Sequence, residues 1–496
     1  MRARTLVLLM AASAVAAASG APARAAGDVV VKQYDSGDVY EGQFRDGRQH
    51  GRGVLERPDG FRYEGEFRDG WIAGEGIAHY PDGSVYSGEF EGGKPQGRGR
   101  IDFPNGDSYE GGWVDGRIEG VGVATYADGS RYQGEFRDNA QHGTGVLTRP
   151  DGYRYEGEFA DRLPHGEGRA TYPDGSVYEG RWVEGRREGR GRLQLADGFV
   201  YEGGWKRGAF HGDGVAVHPN GDRYEGGFAD GLRTGEGTAT YADGSVYVGG
   251  FLADRRHGEG VLEAPDGFRY EGGWVEGRIE GDGRMRYANG SVHVGAFRAG
   301  APHGPGRIDY AGGGFYEGDW AEGRIEGTGV SVNAEGVRYE GGFKAGRHHG
   351  EGRLEYPDGY VYEGDWREGV QHGSGRSAFA DGSVYSGEFR EGLRHGEGRL
   401  EMPDGFVYEG DWVEGRIEGE GRAEYATGDV YVGRFEAGRR DGPGRMEYAD
   451  GSLFEGWWRE GRRGAPPAEA SASDAAAPAA DDADEDEDET PAAAVD

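Results

Sequence analysis

The sequence Y-E-G-Q-F at residues 40–44 recurs every 23 residues, nineteen times, without an insertion or a deletion. The last copy is F-E-G-W-W at residues 454–458. A fixed period of this size is typical of a repeat architecture, in which each unit buries its apolar face only against its neighbours. The repeats leave no stretch of chain for a separate catalytic domain, so the pattern favours a protein that is not an enzyme.

Each residue of a repeat is numbered below by its offset from the leading residue, which is Tyr40 in the first repeat. Glycine occupies offset +2 and an aromatic residue occupies offset +4 in all nineteen repeats, and glycines occupy +11 and +13 in the first eighteen. Offset +15 is mostly apolar and +17 is often Tyr or Phe. Since these offsets keep one parity within each segment, they predict two β-strands per repeat with rings and glycines on one face.

Two turns are predicted in each repeat. Offsets +18 to +20 typically read Pro/Ala-Asp-Gly, as at residues 58–60, which favours a three-residue hairpin loop with glycine in the left-handed conformation. Offsets +6 to +9 are predicted to form a four-residue loop, with glycine at +7 in sixteen repeats. The exceptions at +7 are Asn139, Arg162 and Asp254, of which only Arg162 is unsuited to a positive φ.

With these loops, offset 0 is predicted to lie opposite +15, glycine +2 opposite glycine +13, and the +4 ring opposite glycine +11. On the other face, Glu at +1 is predicted to pair with +14, which is Arg in ten repeats, as in Glu156 with Arg169. The predicted fold is therefore all-β: an elongated, twisted, single-layer antiparallel sheet of stacked 23-residue β-hairpins. Thirty-eight strands would make a ribbon of roughly 180 Å.

The unit Tyr-Glu-Gly-Glu-Phe-x-Asp-Gly-x-x-His-Gly-x-Gly, ending in Pro-Asp-Gly, resembles the MORN (membrane occupation and recognition nexus) repeat over about residues 34–463. The resemblance implies an elongated, groove-bearing sheet with scaffolding or partner-recognition roles, and frequently self-association. Membrane or phosphoinositide association is also implied for some members. Appended kinase or methyltransferase domains, found in other members, have no counterpart in this sequence.

A few positions depart from the pattern. His293 replaces the leading Tyr, Ser331 replaces the apolar residue at +15, and residues 334–336 weaken the Pro-Asp-Gly turn. These changes predict a bend or a specialised contact in residues 293–336. Phe454 opens a final unit without the +11 and +13 glycines, which predicts a C-terminal cap.

The ends of the chain differ from the repeats. Residues 1–25 have a positive start, a short apolar stretch and the small-x-small site of a secretory signal peptide, with cleavage expected after Ala25. Residues 26–33 are a short lead-in, residues 34–463 form the repeat domain, and residues 464–496 are predicted to be a disordered acidic tail. The tail either solubilises the protein or docks on a basic partner or cations. The predicted location is exported, either periplasmic or secreted, and the composition suits a bacterium.

The formal net charge is −34, to which residues 1–25 contribute +3 and residues 464–496 contribute −11, leaving −26 for residues 26–463. Nucleic acids and anionic lipids are bound mainly through Lys and Arg. This negative charge therefore excludes nucleic acid as a partner and disfavours membrane binding. It favours a basic protein partner. The chain contains no cysteine, so it folds without disulfides.

Turn and surface chemistry account for three features of the repeat that could otherwise suggest a ligand site. Nine of the thirteen histidines fall on offset +10, but equivalent positions lie roughly 9–10 Å apart, too far for a closed zinc site. The Asp-Gly pairs do not follow the nine-residue period of calcium-binding repeats. The Gly-x-Gly pairs lack the third glycine of a dinucleotide site. We predict no catalytic residue, metal or cofactor.

The ring face is the predicted binding site, because no second layer in the sequence covers it. A peptide or helix lying along an aromatic–glycine groove is the leading hypothesis, and self-association through the same face is the second. A peripheral membrane organiser and a regulatory module of an enzyme complex remain alternatives. The candidate groove residues are Tyr155, Phe159, Tyr178, Trp182, Tyr201, Trp205, Tyr270, Trp274, Tyr316, Trp320, Tyr362, Trp366, Tyr385, Phe389, Tyr408 and Trp412.

Overall fold

The computed structural model describes residues 28–465, which contain thirty-nine β-strands and no helix. No helix that could span a membrane is therefore present in this part of the chain. The predicted signal peptide and nearly all of the predicted acidic tail lie outside the described residues. The chain divides into two compact units at residue 232, and each unit is built from the same hairpin.

The first unit contains eighteen strands. They are β1 (Val30–Gln33), β2 (Val39–Arg45), β3 (Arg48–Glu56), β4 (Arg62–Arg68), β5 (Trp71–His79), β6 (Val85–Glu91), β7 (Lys94–Asp102), β8 (Ser108–Val114), β9 (Arg117–Thr125), β10 (Arg131–Arg137), β11 (Ala140–Thr148), β12 (Arg154–Ala160), β13 (Leu163–Thr171), β14 (Val177–Val183), β15 (Arg186–Gln194), β16 (Val200–Lys206), β17 (Ala209–Val217) and β18 (Arg223–Ala229). Strand β1 belongs to the predicted lead-in and pairs with β2.

The remaining strands belong to the second unit, apart from the first residue of β19. They are β19 (Leu232–Thr240), β20 (Val246–Leu252), β21 (Arg255–Glu263), β22 (Arg269–Val275), β23 (Arg278–Arg286), β24 (Val292–Arg298), β25 (Ala301–Asp309), β26 (Phe315–Ala321), β27 (Arg324–Val332), β28 (Arg338–Lys344), β29 (Arg347–Glu355), β30 (Val361–Arg367), β31 (Val370–Ala378), β32 (Val384–Arg390), β33 (Leu393–Glu401), β34 (Val407–Val413), β35 (Arg416–Glu424), β36 (Val430–Glu436), β37 (Arg439–Glu447), β38 (Leu453–Arg459) and β39 (Arg462–Gly464).

Within each unit, neighbouring strands pair antiparallel in the predicted register at offsets 0, +2, +13 and +15. In the first repeat, Tyr40 lies opposite Leu55 and Gly42 opposite Gly53. The second strand of this hairpin then places Leu55 opposite Tyr63 of the next repeat. The all-β sheet of stacked 23-residue hairpins is confirmed.

The turn after offset +5 is shorter than predicted. Phe44 lies opposite Gln49 rather than Gly51, so the connection contains two residues, Asp46 and Gly47, and not four. Their φ angles are 52° and 75°, as a type I′ turn requires. The prediction of a four-residue loop was wrong because a primed turn, whose twist matches the strands, forms at the Asp-Gly pair itself. The three exceptional residues at +7, including Arg162 with a φ of 72°, have the same left-handed conformation.

The short turn leaves a bulge in the following strand. Between the pairs Gly42–Gly53 and Phe44–Gln49, one residue of β2 faces three residues of β3, and the register shifts there. Gly51, at offset +11, adopts a φ of 71° within the bulge. It still lies opposite the +4 ring of the next repeat, Phe67, as predicted. The tight turn and the bulge therefore place offset +9 beside the rings. The predicted register had placed offset +11 there instead.

The second connection is the predicted three-residue loop. Arg57 N–H donates to the Phe61 carbonyl at 2.8 Å, and Gly60 N–H donates to the Arg57 carbonyl at 3.1 Å. The Asp59 carboxylate accepts from Phe61 N–H at 2.9 Å, which explains the Asp of the Pro-Asp-Gly motif. Gly60 has a φ of 95°, the left-handed conformation expected for it.

The rings that lie flat over glycines are the leading tyrosines and not, as predicted, the +4 rings. A methyl group on Gly42 would come within 2.4 Å of the Tyr40 hydroxyl oxygen, and one on Gly53 within 2.5 Å. All seventeen tyrosines at offset 0 donate from their hydroxyl to the carbonyl at +3, at 2.8–3.1 Å. The hydroxyl satisfies a carbonyl beside the bulge, where the strand ladder is interrupted.

The +4 rings link the tyrosines into a continuous edge-to-face array within each unit. Tyr362 contacts Trp366 of its own repeat, with centroids 5.2 Å apart, and Phe389 of the next repeat, with centroids 5.0 Å apart. Trp366 Nε1 also donates to the carbonyl of Gly352, the +13 glycine of the preceding repeat, at 3.1 Å. Such ring pairs each add about 0.5–1.5 kcal/mol beyond burial of their area. The array is the core of the sheet.

The opposite face carries the charged residues. Glu156 and Arg169 are paired in register, as predicted, but the ion pair of Glu156 is with Arg154, at 2.6 Å. Both members of that ion pair are more than 40% exposed, so it contributes at most about 1 kcal/mol.

Candidate binding face

All sixteen predicted groove residues lie on the ring face, and each is 8% exposed or less. The eight tyrosines among them are completely buried, and the Phe and Trp residues at +4 are 3–8% exposed. The structure therefore assigns these rings to the core. A partner on this face would mainly contact the residues that cover the rings.

The covering residue is at offset +9, the position that the tight turn and the bulge place beside the rings. Phe210 shows the arrangement: its ring stacks on that of Tyr201, with centroids 3.9 Å apart and planes 22° apart. The same position is filled by Gln49, Ile72, Pro95, Ile118, Gln141, Pro164, Arg187, Phe210, Arg233, Arg256, Ile279, Pro302, Ile325, His348, Gln371, Arg394, Ile417, Arg440 and Arg463. We call these nineteen residues the cover column.

Arginines of the cover column pack on the rings through their guanidinium groups. Arg256 lies 4.1 Å from the ring centroid of Trp274, and Arg440 lies 4.2 Å from that of Trp458. The quadrupole of an indole ring attracts a cation held at such a distance. The cover column contains six arginines and no Asp or Glu, so the column is cationic although the chain as a whole is anionic.

A second row of aromatic residues borders the cover column on the side of the three-residue loops. It is formed by offsets +17 and +21, as in Phe61 and Tyr80, whose centroids lie 5.7 Å apart. In the first unit these two rings, with Arg57, form one wall of a groove of about 780 Å³. Its floor contains Ile72 of the cover column.

The other wall of this groove follows the type I′ turns. It includes Trp71, which is 65% exposed and is the largest apolar side chain presented there. Exposed tryptophan beside a concave apolar surface is typical of a protein-binding site.

A second groove, of about 740 Å³, lies on the ring face of the second unit. Its lining includes His348 and Gln371 of the cover column, the predicted site residue Trp366, and the rim residues Tyr356 and Val370. Tyr356 is 43% exposed and Val370 is 44% exposed. Both grooves thus combine covered rings with accessible apolar rims.

Burial changes the titration of two histidines on this face. It lowers the pKa of His348, which stacks on Tyr339, to about 4. It also lowers the pKa of His293 to about 4. His293 takes the place of a leading Tyr, is completely buried, and has no hydrogen-bond partner for either ring nitrogen within the described chain. Burial likewise raises the pKa of Tyr270, one of the leading tyrosines, to about 12.

The other departures from the repeat leave the pairing intact. Ser331 lies opposite Tyr316 and Tyr339 in the normal register, and strands β24 to β28 pair without an additional irregularity. The predicted bend in residues 293–336 is therefore not accompanied by a change of register. Phe454 packs edge-to-face on Trp458, with centroids 5.5 Å apart, and the short strand β39 follows.

The histidines at offset +10 lie beside the bulge. The Nδ1 atoms of His211, His257 and His349 are buried and have no hydrogen-bond partner within residues 28–465. The described part of the chain contains no group of three or more His, Cys, Asp or Glu residues that could hold a metal ion.

Sequence reasoning did not single out the cover column, because its residue types are mixed while the neighbouring offsets are nearly constant. The available signal was the Asp-Gly pair at offsets +6 and +7, which is typical of a two-residue hairpin turn. A two-residue turn at these offsets pairs +5 with +8 and +4 with +9. Offset +9 then lies on the ring face.

Together, the hairpin stack and its covered ring face define a repeat scaffold. The MORN repeat family matches eighteen consecutive segments: 40–62, 63–85, 86–108, 109–131, 132–152, 155–177, 178–200, 201–223, 224–246, 247–269, 270–292, 293–315, 316–338, 339–359, 362–384, 385–407, 408–430 and 431–453. The chain belongs to the MORN repeat family. The unit that begins at Phe454 is not among the matched segments, which agrees with its incomplete motif.

No curated protein sequence matches the chain. Among solved structures, it is similar to the TCP domain of SAS-4 from Drosophila melanogaster in complex with a proline-rich motif of Ana2, at 17% identity and a TM-score of 0.21, over 35% of this chain and 88% of that one. It is similar to the TCP10 domain of CPAP from Danio rerio in complex with a STIL peptide, at 15% identity and a TM-score of 0.17, over 54% and 93% of the two chains. A virginiamycin B lyase from Staphylococcus aureus with quinupristin matches at 11% identity and a TM-score of 0.11, over 51% and 89%. These scores are too low to transfer a function.

Proposed function

We propose that this protein is a non-enzymatic scaffold that holds protein segments in the grooves of its ring face. The observation that carries the proposal is the pair of grooves, each floored by the cover column and each bordered by exposed apolar side chains such as Trp71 and Val370. A rigid sheet presents these positions without a conformational change, which reduces the entropy lost on binding.

The cover column supplies a basis for selectivity. Successive repeats offer an aliphatic, aromatic, amide or guanidinium group at the same place over the same rings, as Ile72, Phe210, Gln371 and Arg256 illustrate. An extended segment or a helix on this face would therefore meet a row of different side chains at regular spacing. A basic partner, which the overall charge favours, would instead meet the carboxylates of the opposite face.

The proposed location is outside the cytoplasm, in the periplasm or the extracellular medium, on the basis of residues 1–25. Processing at Ala25 is tested by N-terminal sequencing of the protein purified from its native cells. An intact N-terminus beginning at Met1 would contradict export by this route.

The grooves are tested with exposed residues, since their replacement leaves the core intact. A partner is first captured from the native envelope by the full chain and identified, and its affinity is then measured for two variants. Tyr356→Ser with Val370→Thr should weaken binding about tenfold or more, because groove-rim apolar contacts are lost. Val432→Ser is the matched control, because Val432 is 49% exposed and its register partner is Arg445 of the opposite face.

Two results would contradict the proposal. One is unchanged affinity for the Tyr356 and Val370 variant, and the other is an equal loss for the Val432 control. Analytical ultracentrifugation of the same samples distinguishes a foreign partner from a second copy of the chain, since self-association would appear without any added protein.

A further inference from the structure

The C-terminal end of the ring face carries arginines that have no carboxylate partner within residues 28–465. Arg394, Arg440 and Arg463 belong to the cover column of the last four repeats, and none has a carboxylate within ion-pair distance in the described chain. Arg440 donates to the Gly461 carbonyl at 2.9 Å, and Arg463 donates to the Tyr448 hydroxyl. The charges of Arg440 and Arg463 are therefore hydrogen-bonded but not neutralised.

These guanidinium groups lie among rings. Arg394 lies 5.0 Å from the centroid of Trp412 and 5.2 Å from that of Phe379, and burial lowers its pKa. Arg463 lies 4.3 Å from the centroid of Phe454. A cation held in apolar surroundings without a counter-charge attracts an anion more strongly than a fully solvated one.

The neighbouring type I′ turns carry both signs of charge. Arg416, Arg439 and Arg462 are exposed at offset +8, and Glu391, Glu414 and Glu460 are exposed at offset +6 of the last four repeats. Up to residue 465, offsets +9, +15, +17 and +21 of these repeats contain a single carboxylate, Asp429, which already accepts a hydrogen bond from Ala449 N–H at 2.9 Å. The cover column at the end of the second unit is thus cationic, whereas the chain as a whole is anionic.

The segment that follows this surface has the complementary charge. Residues 466–496 contain eleven Asp and Glu residues and no Lys or Arg, and eight of the acidic residues lie in residues 481–489. Strand β39, which ends at Gly464, contains Arg463 itself, so the chain continues from the cationic end of the sheet.

The distances permit contact within one chain. Fifteen residues separate Ala465 from Asp481 and can span up to about 50 Å when extended. Arg394 lies three repeats before Arg463, which is roughly 30 Å along the sheet at two strands per repeat. The acidic run can therefore reach all three arginines.

We propose that residues 481–489 bind to the arginines Arg394, Arg440 and Arg463 of the same chain and occupy the C-terminal end of the ring face. A partner segment must compete with the tail for these last repeats, while the groove around His348 and Gln371 stays accessible. This inference does not depend on the partner proposed above, because it concerns two parts of one chain.

The full chain contains no cysteine, so two can be introduced for spin labels at Ala380 and Ala483. Ala380 is exposed and adjoins Phe379, which contacts Arg394. Pulsed electron paramagnetic resonance should give a short, narrow distance distribution at low salt. It should become long and broad in about 1 M NaCl, where charges are screened beyond roughly 3 Å.

The decisive variant is Arg394→Gln with Arg440→Gln and Arg463→Gln. Glutamine occupies the same offset in three natural repeats, so the hairpins should keep their structure, which circular dichroism checks. The short-distance population should fall by about threefold or more, because three charge pairs are removed. The matched control, Arg187→Gln with Arg256→Gln, removes cover-column arginines elsewhere and should leave the distribution unchanged.

Three results would overturn the proposal. A broad distribution in the unmodified chain at low salt would show that the tail does not bind there. An equal effect of the control variant would show that general charge is responsible. Loss of the short distances on mixing with an excess of unlabelled chain would show that the tail binds a second copy.

Discussion

The imidazole of His348 stacks on the phenol ring of Tyr339, with centroids 3.6 Å apart and planes 10° apart. The same imidazole contacts Trp366 of the next repeat edge-on, with centroids 5.0 Å apart. A cover residue thus closes the space between the rings of two repeats. Because this environment is apolar, it lowers the pKa of His348 to about 4.

Acid should destabilise the second unit through His293 and His348, whose imidazoles are desolvated. The folded-state pKa of His348, and that of His293, is about 4, whereas a histidine in an unfolded chain has its ordinary pKa of about 6.5. Between these values the unfolded state binds more protons, so the stabilisation is complete above about pH 6.5 and is lost as the pH falls toward 4. Each histidine should contribute at most about 1.4 kcal/mol per pH unit in this window.

The measurement is urea unfolding of the full chain at a series of pH values, compared with His348→Ile. Isoleucine fills the same offset at Ile325 and Ile417, so the variant should fold and should lose part of the pH dependence. Parallel stability curves for the two proteins between pH 4 and 6.5 would contradict the assigned burial of His348.

Restoring the repeat residue at position 293 should stabilise the protein. His293→Tyr places a hydroxyl where the other repeats donate to the +3 carbonyl, here that of Ala296, and removes two buried nitrogens without partners. The expected gain is about 1 kcal/mol at pH 7, the usual value of one hydrogen bond, and the acid sensitivity should fall as well. Lower stability of the tyrosine variant would show that this site is specialised for histidine.

The hydroxyl of a leading tyrosine should contribute to stability separately from its ring. Tyr362 donates to the Asp365 carbonyl at 2.9 Å, so Tyr362→Phe should cost about 1 kcal/mol and Tyr362→Ala about 3–5 kcal/mol. Hydrogen exchange should show the loss of protection mainly in β30 and its neighbours, because repeat stability is local. A phenylalanine variant as stable as the parent would contradict the role of the hydroxyl.

The glycines that lie beneath the tyrosine rings should not tolerate replacement by alanine. A Cβ on Gly375 would lie 2.4 Å from the Tyr362 hydroxyl oxygen, so Gly375→Ala must displace the ring and should cost about 1–3 kcal/mol. Gly312→Ala is the control, because a Cβ there meets no atom within 4 Å, and it should change the unfolding free energy by less than about 0.5 kcal/mol. Equal midpoints for the two variants in urea would contradict the packing of rings on glycine.

The sequence allowed the hairpin stack to be predicted because its signals are local and repeated. The parity of the rings and glycines predicted the strands, and the Pro-Asp-Gly loop predicted the pairing of Gly42 with Gly53. The type I′ turn was missed because glycine at +7 fits several loop lengths, and strand parity does not reveal a bulge. Because the loop was predicted to be two residues too long, the +4 ring was expected opposite offset +11 of its own hairpin, whereas it lies opposite offset +9.

The ring face could be predicted from the sequence, but the residues that cover it could not. Aromatic offsets 0 and +4 predicted which face of the sheet carries the rings, yet Tyr362 and Trp366 are too buried for a partner to reach more than their edges. What covers them depends on the bulge, and the bulge depends on backbone angles at residues such as Gly373, whose φ is 64°. Only the folded chain brings Gln371 and Tyr356 to one groove.

The most direct test of the binding face is site-specific photo-crosslinking within the first unit. A benzoylphenylalanine replaces Trp71, at the groove rim, or Val121, which is 70% exposed and pairs with Glu135 on the opposite face. Each full-length protein is irradiated with the partner identified by affinity capture. We expect a crosslinked product from position 71 and little or none from position 121. Crosslinking from position 121 alone would show that the partner uses the opposite face and would contradict binding on the ring face.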